Sequence, residues 1–256
     1  MDNKKFYEQF DWKMLKYKHL KSKIEIIKQT IPSDVKKILD VGCGNGIITN
    51  ELSKNYQVTG LDRSSEALKF VKNDKILASS DKIPFSINDF DIIFSSEMLE
   101  HLPDDIFRKT ISEFKRISPK YIFISVPNNE NLKKTFIECP KCNFRYNRSY
   151  HLRSFSINNI CKLFPEYELK ENFTFGVKIR KYNSLFLKIK QNLTPAISWI
   201  PYYWTSKEKR KTMCPRCEHQ FIYDFKFNFI SFVCDSINAI ISPKIPYWIF
   251  VLLEKK

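Results

Sequence analysis

The chain has 256 residues, 43% of them hydrophobic, and a formal net charge of +15; that apolar fraction supports one sizeable α/β domain with insertions and excludes general disorder. Its C-terminal apolar stretches are broken by Asp235, Pro243, Lys244 and Pro246, so none reaches the ~20 uninterrupted residues of a membrane span. No apolar stretch follows the lysines of MDNKKFYEQFDWKM, so no secretory signal is expected and the reading is a soluble, cytoplasmic protein.

Taken in chain order, a helical segment is expected over about 7–30. Lys37–Val41 reads as a short apolar strand, followed by a glycine loop and a helix over about 47–54. Gln57–Asp62 is a second strand, and Ser64 or Ser65 caps a helix reaching Lys72. Lys75–Ala78 and Phe90–Ser95 read as strands. Asp104–Ile117 is a helix with two acidic residues in its first turn, matching the helix dipole. Tyr121–Val126 is a fifth strand. Continuous apolar strands separated by helices indicate a parallel sheet covered on both faces. After Pro127 the pattern loosens into a helix near 156–164, a strand near 167–175, a long aromatic and basic stretch, and a last strand at Tyr247–Leu253.

The positive charge is unevenly placed. Residues 33–127 carry 13 basic and 14 acidic side chains, whereas residues 178–227 carry 11 and 3, and residues 1–32 carry 8 and 4. A basic, aromatic-rich appendage suits an anionic partner such as nucleic acid, a phosphorylated glycan or a membrane surface. A lysine-rich surface that only interacts with water is the other reading, and composition leaves both open.

Three of the five glycines fall at Gly42, Gly44 and Gly46, within ILDVGCGNGIIT. A loop leaving a strand and entering a helix needs glycine where the backbone turns tightly and approaches a ligand. A dinucleotide fingerprint G-x-G-x-x-G would need glycine at Ile47, so that reading fails. Asp40-x-Gly42-x-Gly44-x-Gly46 instead resembles the first motif of class I S-adenosylmethionine-dependent methyltransferases. The resemblance continues with Asp62 at the end of the second strand and through IPFSINDFDIIFSSEMLEHLPDD, covering about residues 36–127.

The resemblance implies a Rossmann-like, seven-stranded, mostly parallel sheet with helices on both faces and a reversed final strand. It places Gly42, Cys43, Gly44 and Gly46 along the methionine part of S-adenosylmethionine, with Asp40 beside them. Asp62, next to Arg63, falls at the ribose. The family often has an acidic residue at the position of Ser79, touching the adenine; here the nearest carboxylate is Asp81. The alternative is the same fold without cofactor binding.

Seven cysteines include two Cys-x-x-Cys pairs, Cys139/Cys142 in ECPKCNFRY and Cys214/Cys217 in MCPRCEHQF. Each resembles half of a zinc ribbon, and two pairs complete a closed tetrahedral S4 site of structural type. With 71 residues between Cys142 and Cys214, such a site would be a long-range staple. Redox activity and unpaired surface thiols are the alternatives. Cys43, Cys161 and Cys234 read as loop or core cysteines.

Glu97, Glu100 and His101 follow the fourth strand, where open α/β sheets place ligands. If that segment turns helically, the three share a face. E-x-x-E-H resembles ubiquinone-pathway O-methyltransferases and the enzymes that modify the 3′-terminal ribose of small RNAs. In the latter, two glutamates and two histidines hold a divalent ion, which implies Mg2+ or Mn2+ at Glu97, Glu100, His101 and His151. Without a metal, His101 or His151 could act as a general base, so that Glu97, Glu100, His101 and His151 are the candidate catalytic residues; a structural helix start is the other reading.

The domain division expected is a helical cap at 1–32, a cofactor-binding core at 33–177 containing the first knuckle, a basic insertion at 178–240 with the second knuckle, and a final strand at 241–256. The functional expectation is an O-methyltransferase acting on a hydroxyl of a glycan, lipid-linked intermediate, small metabolite or RNA. A zinc-containing nucleic-acid-binding protein on an inactive scaffold is one alternative. A peripheral membrane protein, with residues 185–204 on the lipid surface, is another.

Overall fold

The computed structural model describes residues 4–256; the first three residues of the expected N-terminal cap lie outside the described residues. In chain order the first elements are α1 (Lys4–Gln9), α2 (Tyr17–Thr30), β1 (Lys37–Val41), α3 (Ile47–Leu52) and β2 (Gln57–Asp62). Next come α4 (Ser65–Leu68), β3 (Lys75–Leu77), β4 (Ile92–Ser96), α5 (Asp104–Ile117) and β5 (Tyr121–Pro127). β6 (Phe136–Glu138), β7 (Arg145–Asn147), α6 (Ile157–Leu163), β8 (Tyr167–Arg180) and α7 (Ser184–Leu193) follow. β9 (Lys211–Met213), β10 (Gln220–Ile222), α8 (Phe229–Ile241) and β11 (Lys244–Lys255) complete the chain. Two compact units result, one from residues up to 128 with 155–176 and 247–256, the other from 129–154 with 177–246.

The first unit is a seven-stranded sheet in the order β3-β2-β1-β4-β5-β11-β8. β1, β2, β3, β4 and β5 pair in parallel, whereas β11 runs antiparallel to β5. The expected Rossmann-like sheet with a reversed strand is therefore present. Continuous apolar strands form because both faces are covered: every residue of β5, YIFISVP, is buried. One face packs Ile93, Ile122, Ile124 and Val251 against Ile111, Phe114 and Ile117 of α5. The other packs Phe94, Phe123 and Phe250 under Ile27 of α2 and the following Ile31. α5 has the expected bounds, with Asp104 and Asp105 in its first turn, Lys115 and Arg116 in its last, and a left-handed Ser118 ending it.

The helical segment expected over 7–30 is present in pieces, interrupted between α1 and α2. The Asp11 carboxylate accepts from the Lys13 N–H, nucleating a short 3₁₀ turn at Trp12–Met14, and Leu15 and Lys16 are extended before α2 begins.

The second unit is built on two short hairpins, β6–β7 and β9–β10, both antiparallel, and on α7 and α8, which pack together. Residues 129–154, expected with the core, group with 177–246 instead. Side-chain bonds between the two hairpins account for that. Tyr150 Oη donates to Met213 O at 2.9 Å and accepts from Met213 N–H at 3.1 Å, and the Tyr146 and Tyr150 hydroxyls meet Thr212 Oγ1 at 3.2 and 2.9 Å. Among the described residues no helix is long and apolar enough to cross a membrane.

Candidate functional site

In the sheet unit, β1 runs into the glycine loop with Gly42 and Gly46 both left-handed, at φ +79° and +68°. Side chains are excluded there by space as well as by conformation. A Cβ would fall 2.3 Å from Met98 Cγ at Gly42 and 2.7 Å from Val71 Cγ2 at Gly46. The loop is tied to β2 by the Gly42 and Cys43 N–H groups, which donate to Leu61 O at 2.8 and 3.1 Å. Cys43 turns its thiol inward toward Gly60, and burial holds that thiol well above its ordinary range. It is a packing residue that contributes backbone to the loop.

Asp62 ends β2 beside this loop. Its two carboxylate oxygens accept from Gly44 N–H and Ser64 N–H, each at 2.8 Å. Burial raises its pKa while those N–H groups pull the other way. A carboxylate has about four acceptor sites, so both oxygens keep capacity for a diol. Asp40, one strand over, is fully buried and accepts from Thr49 Oγ1 at 2.7 Å; burial pushes its pKa up to about 7. Arg63 follows Asp62 and adds a favourable charge. Ser79 and Asp81 are half-buried in the turn after β3, whose Leu77 pairs with Asp62.

The N-terminal segment closes on the same loop, which sequence reasoning did not anticipate. The Trp12 ring would lie 3.0 Å from a Cβ at Gly44, and Asn45 Nδ2 donates to Trp12 O at 2.8 Å. The Glu8 carboxylate accepts from the Ser65 and Glu66 N–H groups at the start of α4. These contacts require the chain to double back, and no local spacing signals that.

After β4 the backbone is left-handed at Glu97, φ +56°, and its N–H donates to Ser125 O at 2.9 Å. A 3₁₀ turn at Leu99–His101 follows. Glu97 thus precedes the turn instead of sharing its face, because the left-handed residue redirects the chain. Glu100 is fully buried, and its Oε1 lies 4.0 Å from His101 Nε2. The Tyr7 ring meets His101 edge-on at 5.8 Å.

Glu97 is instead engaged by Lys23 of α2, whose Nζ lies 3.1 Å from Glu97 Oε1 while its side chain is 2% exposed. The ammonium also sits 4.5 Å from the Trp248 ring centroid, a distance suited to cation–π attraction. Ser96 and Ser125 are register partners; their hydroxyls and the Trp248 indole N–H are buried with no hydrogen-bond partner among the described residues. Alternation with Phe94, Phe123 and Phe250 puts all three on the sheet face covered by α2. Lys23 was missed because a lysine in an amphipathic helix ordinarily reads as solvated.

His151 belongs to the second unit, where it is buried and its Nδ1 pairs with the Glu130 carboxylate. Such a partner fixes the ring's orientation. Glu130 carried no motif that could have marked it.

The second unit also gathers all four knuckle cysteines. Their Sγ atoms lie within 4.8 Å of one another, with Cys139–Cys217 at 3.7 Å and Cys142–Cys214 at 3.6 Å. These are far longer than a disulfide's ~2.05 Å. A tetrahedron with metal–sulfur bonds of ~2.3 Å has edges of about 3.8 Å, so the donor set fits a four-coordinate thiophilic cation. The hairpins hold it in matching ways: Cys139 N–H donates to Phe144 O at 3.0 Å and Cys214 N–H to His219 O at 2.9 Å. Asn143 and Glu218, each just past the second cysteine, are both left-handed. A backbone hydrogen bond at His219 draws the Cys217 thiol down to about 7, whereas burial pushes Cys214 up to about 12.

Comparison with known proteins places the sheet unit in context. Residues 39–120 match the family model described as a methyltransferase domain. The chain is 36% identical over 93 residues to a ubiquinone biosynthesis O-methyltransferase of Hydrogenovibrio crunogenus, covering 32% of this chain and 39% of that protein. A protein of the same name from Photorhabdus laumondii is 29% identical over 138 residues, covering 40% and 56%. The chain thus spans from under two fifths to just over half the length of these relatives. Among solved structures, a SAM dependent methyltransferase from Archaeoglobus fulgidus superposes with a TM-score of 0.57 at 15% identity, covering 98% of each chain. A putative methyltransferase from Bacillus halodurans gives 0.55 at 14% identity, over 92% of this chain and 99% of that one. The fold is shared with these structures, and the family match at residues 39–120 spans the glycine loop, Asp62 and the turn after β4.

Proposed function

We propose that this chain, whose residues 39–120 match a methyltransferase-domain family, transfers a methyl group from S-adenosylmethionine to a hydroxyl. The observation that carries the reading is the glycine loop held against Asp62, two of whose glycines admit no Cβ. In this reading the loop's backbone approaches the methionine portion, Asp62 accepts the two ribose hydroxyls, and Ser79 or Asp81 meets the adenine. When bound, the cofactor supplies an electrophilic methyl and a leaving thioether. The protein aligns the incoming oxygen and takes its proton.

His101 is the proposed base, since an imidazole titrates near neutrality and the buried Glu100 carboxylate beside it stabilises the charged ring. Lys23, Glu97, Ser96, Ser125 and Trp248 offer polar atoms at the carboxyl ends of the strands, where open α/β sheets place ligands. Their role in this reading is to orient the acceptor. A divalent cation is the other route to an ionised hydroxyl. It would show as activity abolished by a chelator and restored by magnesium or manganese. The acceptor class (glycan, lipid-linked intermediate, small metabolite or RNA) is favoured as anionic by the basic second unit.

In that unit, Cys139, Cys142, Cys214 and Cys217 would hold a structural Zn2+, supported by sulfur–sulfur spacings near those of a tetrahedral site. Four coordinated thiolates suit a reducing compartment such as the cytoplasm.

The test is to incubate the protein and its Asp62→Ala variant with methyl-labelled cofactor and fractionated cell extract. Label entering a base-stable, hydroxyl-derived ether with the wild type alone supports the reading. Cofactor bound but label never transferred to any fraction would favour a scaffold that binds and does not catalyse.

A further inference from the structure

Helix α8, Phe229–Ile241, is built inside out. Its inward stripe is mainly polar: Ser231, Asp235 and Asn238, with Ser242 just beyond the helix, recur at spacings of 4, 3 and 4 beside the buried Cys234. Each of these polar residues has an internal partner. Ser231 Oγ donates to Ser198 O at 2.6 Å, and Asp235 accepts from Lys190 Nζ at 2.6 Å and from Ile200 N–H at 3.0 Å. Asn238 accepts from Asn183 N–H at 2.8 Å and donates to Lys181 O at 3.0 Å, while Ser242 Oγ donates to Asn238 Oδ1. The outward stripe is apolar: Phe229, Val233, Ile237 and Ile240 follow at spacings of 4, 4 and 3, flanked by Ile230, Phe232 and Ile241, all exposed. Phe229 and Ile240 are 70% and 83% exposed. A helix facing only water would have the reverse pattern, and contiguous exposed apolar surface marks an interaction site.

Charge selects the occupant. Asp235 is the only charged residue of α8 and it faces inward, so the outward face carries no charge. Exposed Lys226 and Lys244 bracket the helix. Across residues 129–154 and 177–246, 18 Lys and Arg stand against 6 Asp and Glu, leaving +12 of the chain's +15 in this unit. A second copy would bring a second unit of net charge +12 up to the first, and a nucleic-acid duplex has no acyl-like surface to receive this aliphatic stripe. We infer that α8 docks on an anionic phospholipid bilayer, its Phe229–Ile240 stripe entering the acyl boundary and Lys226 and Lys244 meeting lipid phosphates. At 13 residues the helix is roughly 20 Å long, short of the ~30 Å hydrocarbon core, so it lies in the interface plane. The expected lipid-facing segment, 185–204, also exposes Leu185, Leu193, Tyr203 and Trp204, while its helix α7 buries Leu187 and Lys190, the latter paired with Asp235. The inference rests on the second unit alone and is independent of methyl transfer.

The test is flotation of the full-length chain with phosphatidylcholine vesicles, with and without phosphatidylglycerol, at low and high salt. Binding is expected to vesicles containing phosphatidylglycerol and to weaken as salt screens the lysines. Ile240→Ser and Phe229→Ser remove outward side chains with no internal partner, so the variants should fold. Each should bind about tenfold more weakly or worse, as expected for withdrawing one large apolar side chain. Lys226→Glu with Lys244→Glu should abolish the preference for the anionic lipid. Failure of folded wild type to float with phosphatidylglycerol vesicles would overturn the inference. So would equal binding to neutral vesicles, or a lipid-free dimer that Ile240→Ser dissociates.

Discussion

Asp40 gives the sheet unit a pH dependence that can be worked from its surroundings. The carboxyl is buried and accepts from Thr49 Oγ1 at 2.7 Å, and burial, with a smaller push from the Asp62 charge, raises its pKa to about 7. In the unfolded chain the group titrates near 3.8. Between those values the native state keeps a proton that the unfolded state has lost, so unfolding free energy falls as pH rises. The penalty begins near pH 4 and is complete above about 7. At about 1.4 kcal/mol per pH unit, it amounts to roughly 2.5–3 kcal/mol between pH 5 and pH 8. Asp40→Asn keeps an oxygen for the Thr49 hydroxyl and cannot ionise. The comparison is urea denaturation of cofactor-free wild type and Asp40→Asn at pH 5, 6, 7 and 8. Wild type should lose stability relative to the variant by about that amount across the series. Using the slope removes the constant cost of burying an amide. Parallel pH profiles for the two proteins would refute the assignment of a buried, late-titrating Asp40.

Metal analysis of purified protein should give one zinc per chain, lowered by Cys142→Ser or Cys217→Ser, and chelation should loosen residues 129–154 and 177–246 while the sheet keeps its amide-exchange protection. His101→Ala should keep cofactor affinity and lose turnover by about 10²–10⁴-fold, the usual contribution of a general base; unchanged turnover would remove His101 from the chemistry. Lys23→Met keeps the buried stem volume but leaves Glu97 without its cation and Trp248 without the ammonium over its ring. It should raise KM for the acceptor more than it alters cofactor affinity, and an equal effect on both would make Lys23 merely structural.

Much of the sheet unit could be read from the chain alone because its signals are local. Short, β-branched and aromatic apolar runs such as YIFISVP read as doubly covered strands, the acid-to-base order of DDIFRKTISEFKRI matches the dipole of α5 and marks its two ends, and three glycines in five residues mark one loop. The four cysteines were also legible, since thiolate pairs at Cys-x-x-Cys spacing can complete each other wherever the chain brings them. What escaped depends on contacts distant in sequence. Lys23 is buried by Trp248 and Glu97, and Trp12 meets Gly44 only because Asp11 interrupts the helix that 7–30 would otherwise form. The grouping of 129–154 with 177–246 rests on tyrosine hydroxyls reaching Met213 and Thr212. α8 escaped for a different reason. FISFVCDSINAII has helical periodicity, but periodicity does not say which stripe faces in, and here Asp235 and Asn238 find their partners inside.

Cofactor binding tests the central claim most directly. Calorimetric titration of the purified chain with S-adenosylhomocysteine should show one site. Asp62→Ala, which removes a charged acceptor but leaves Gly42–Gly46 in place, should weaken binding by about 1.5–3 kcal/mol. No binding by correctly folded wild type, or an Asp62→Ala variant that binds as tightly as wild type, would contradict the account.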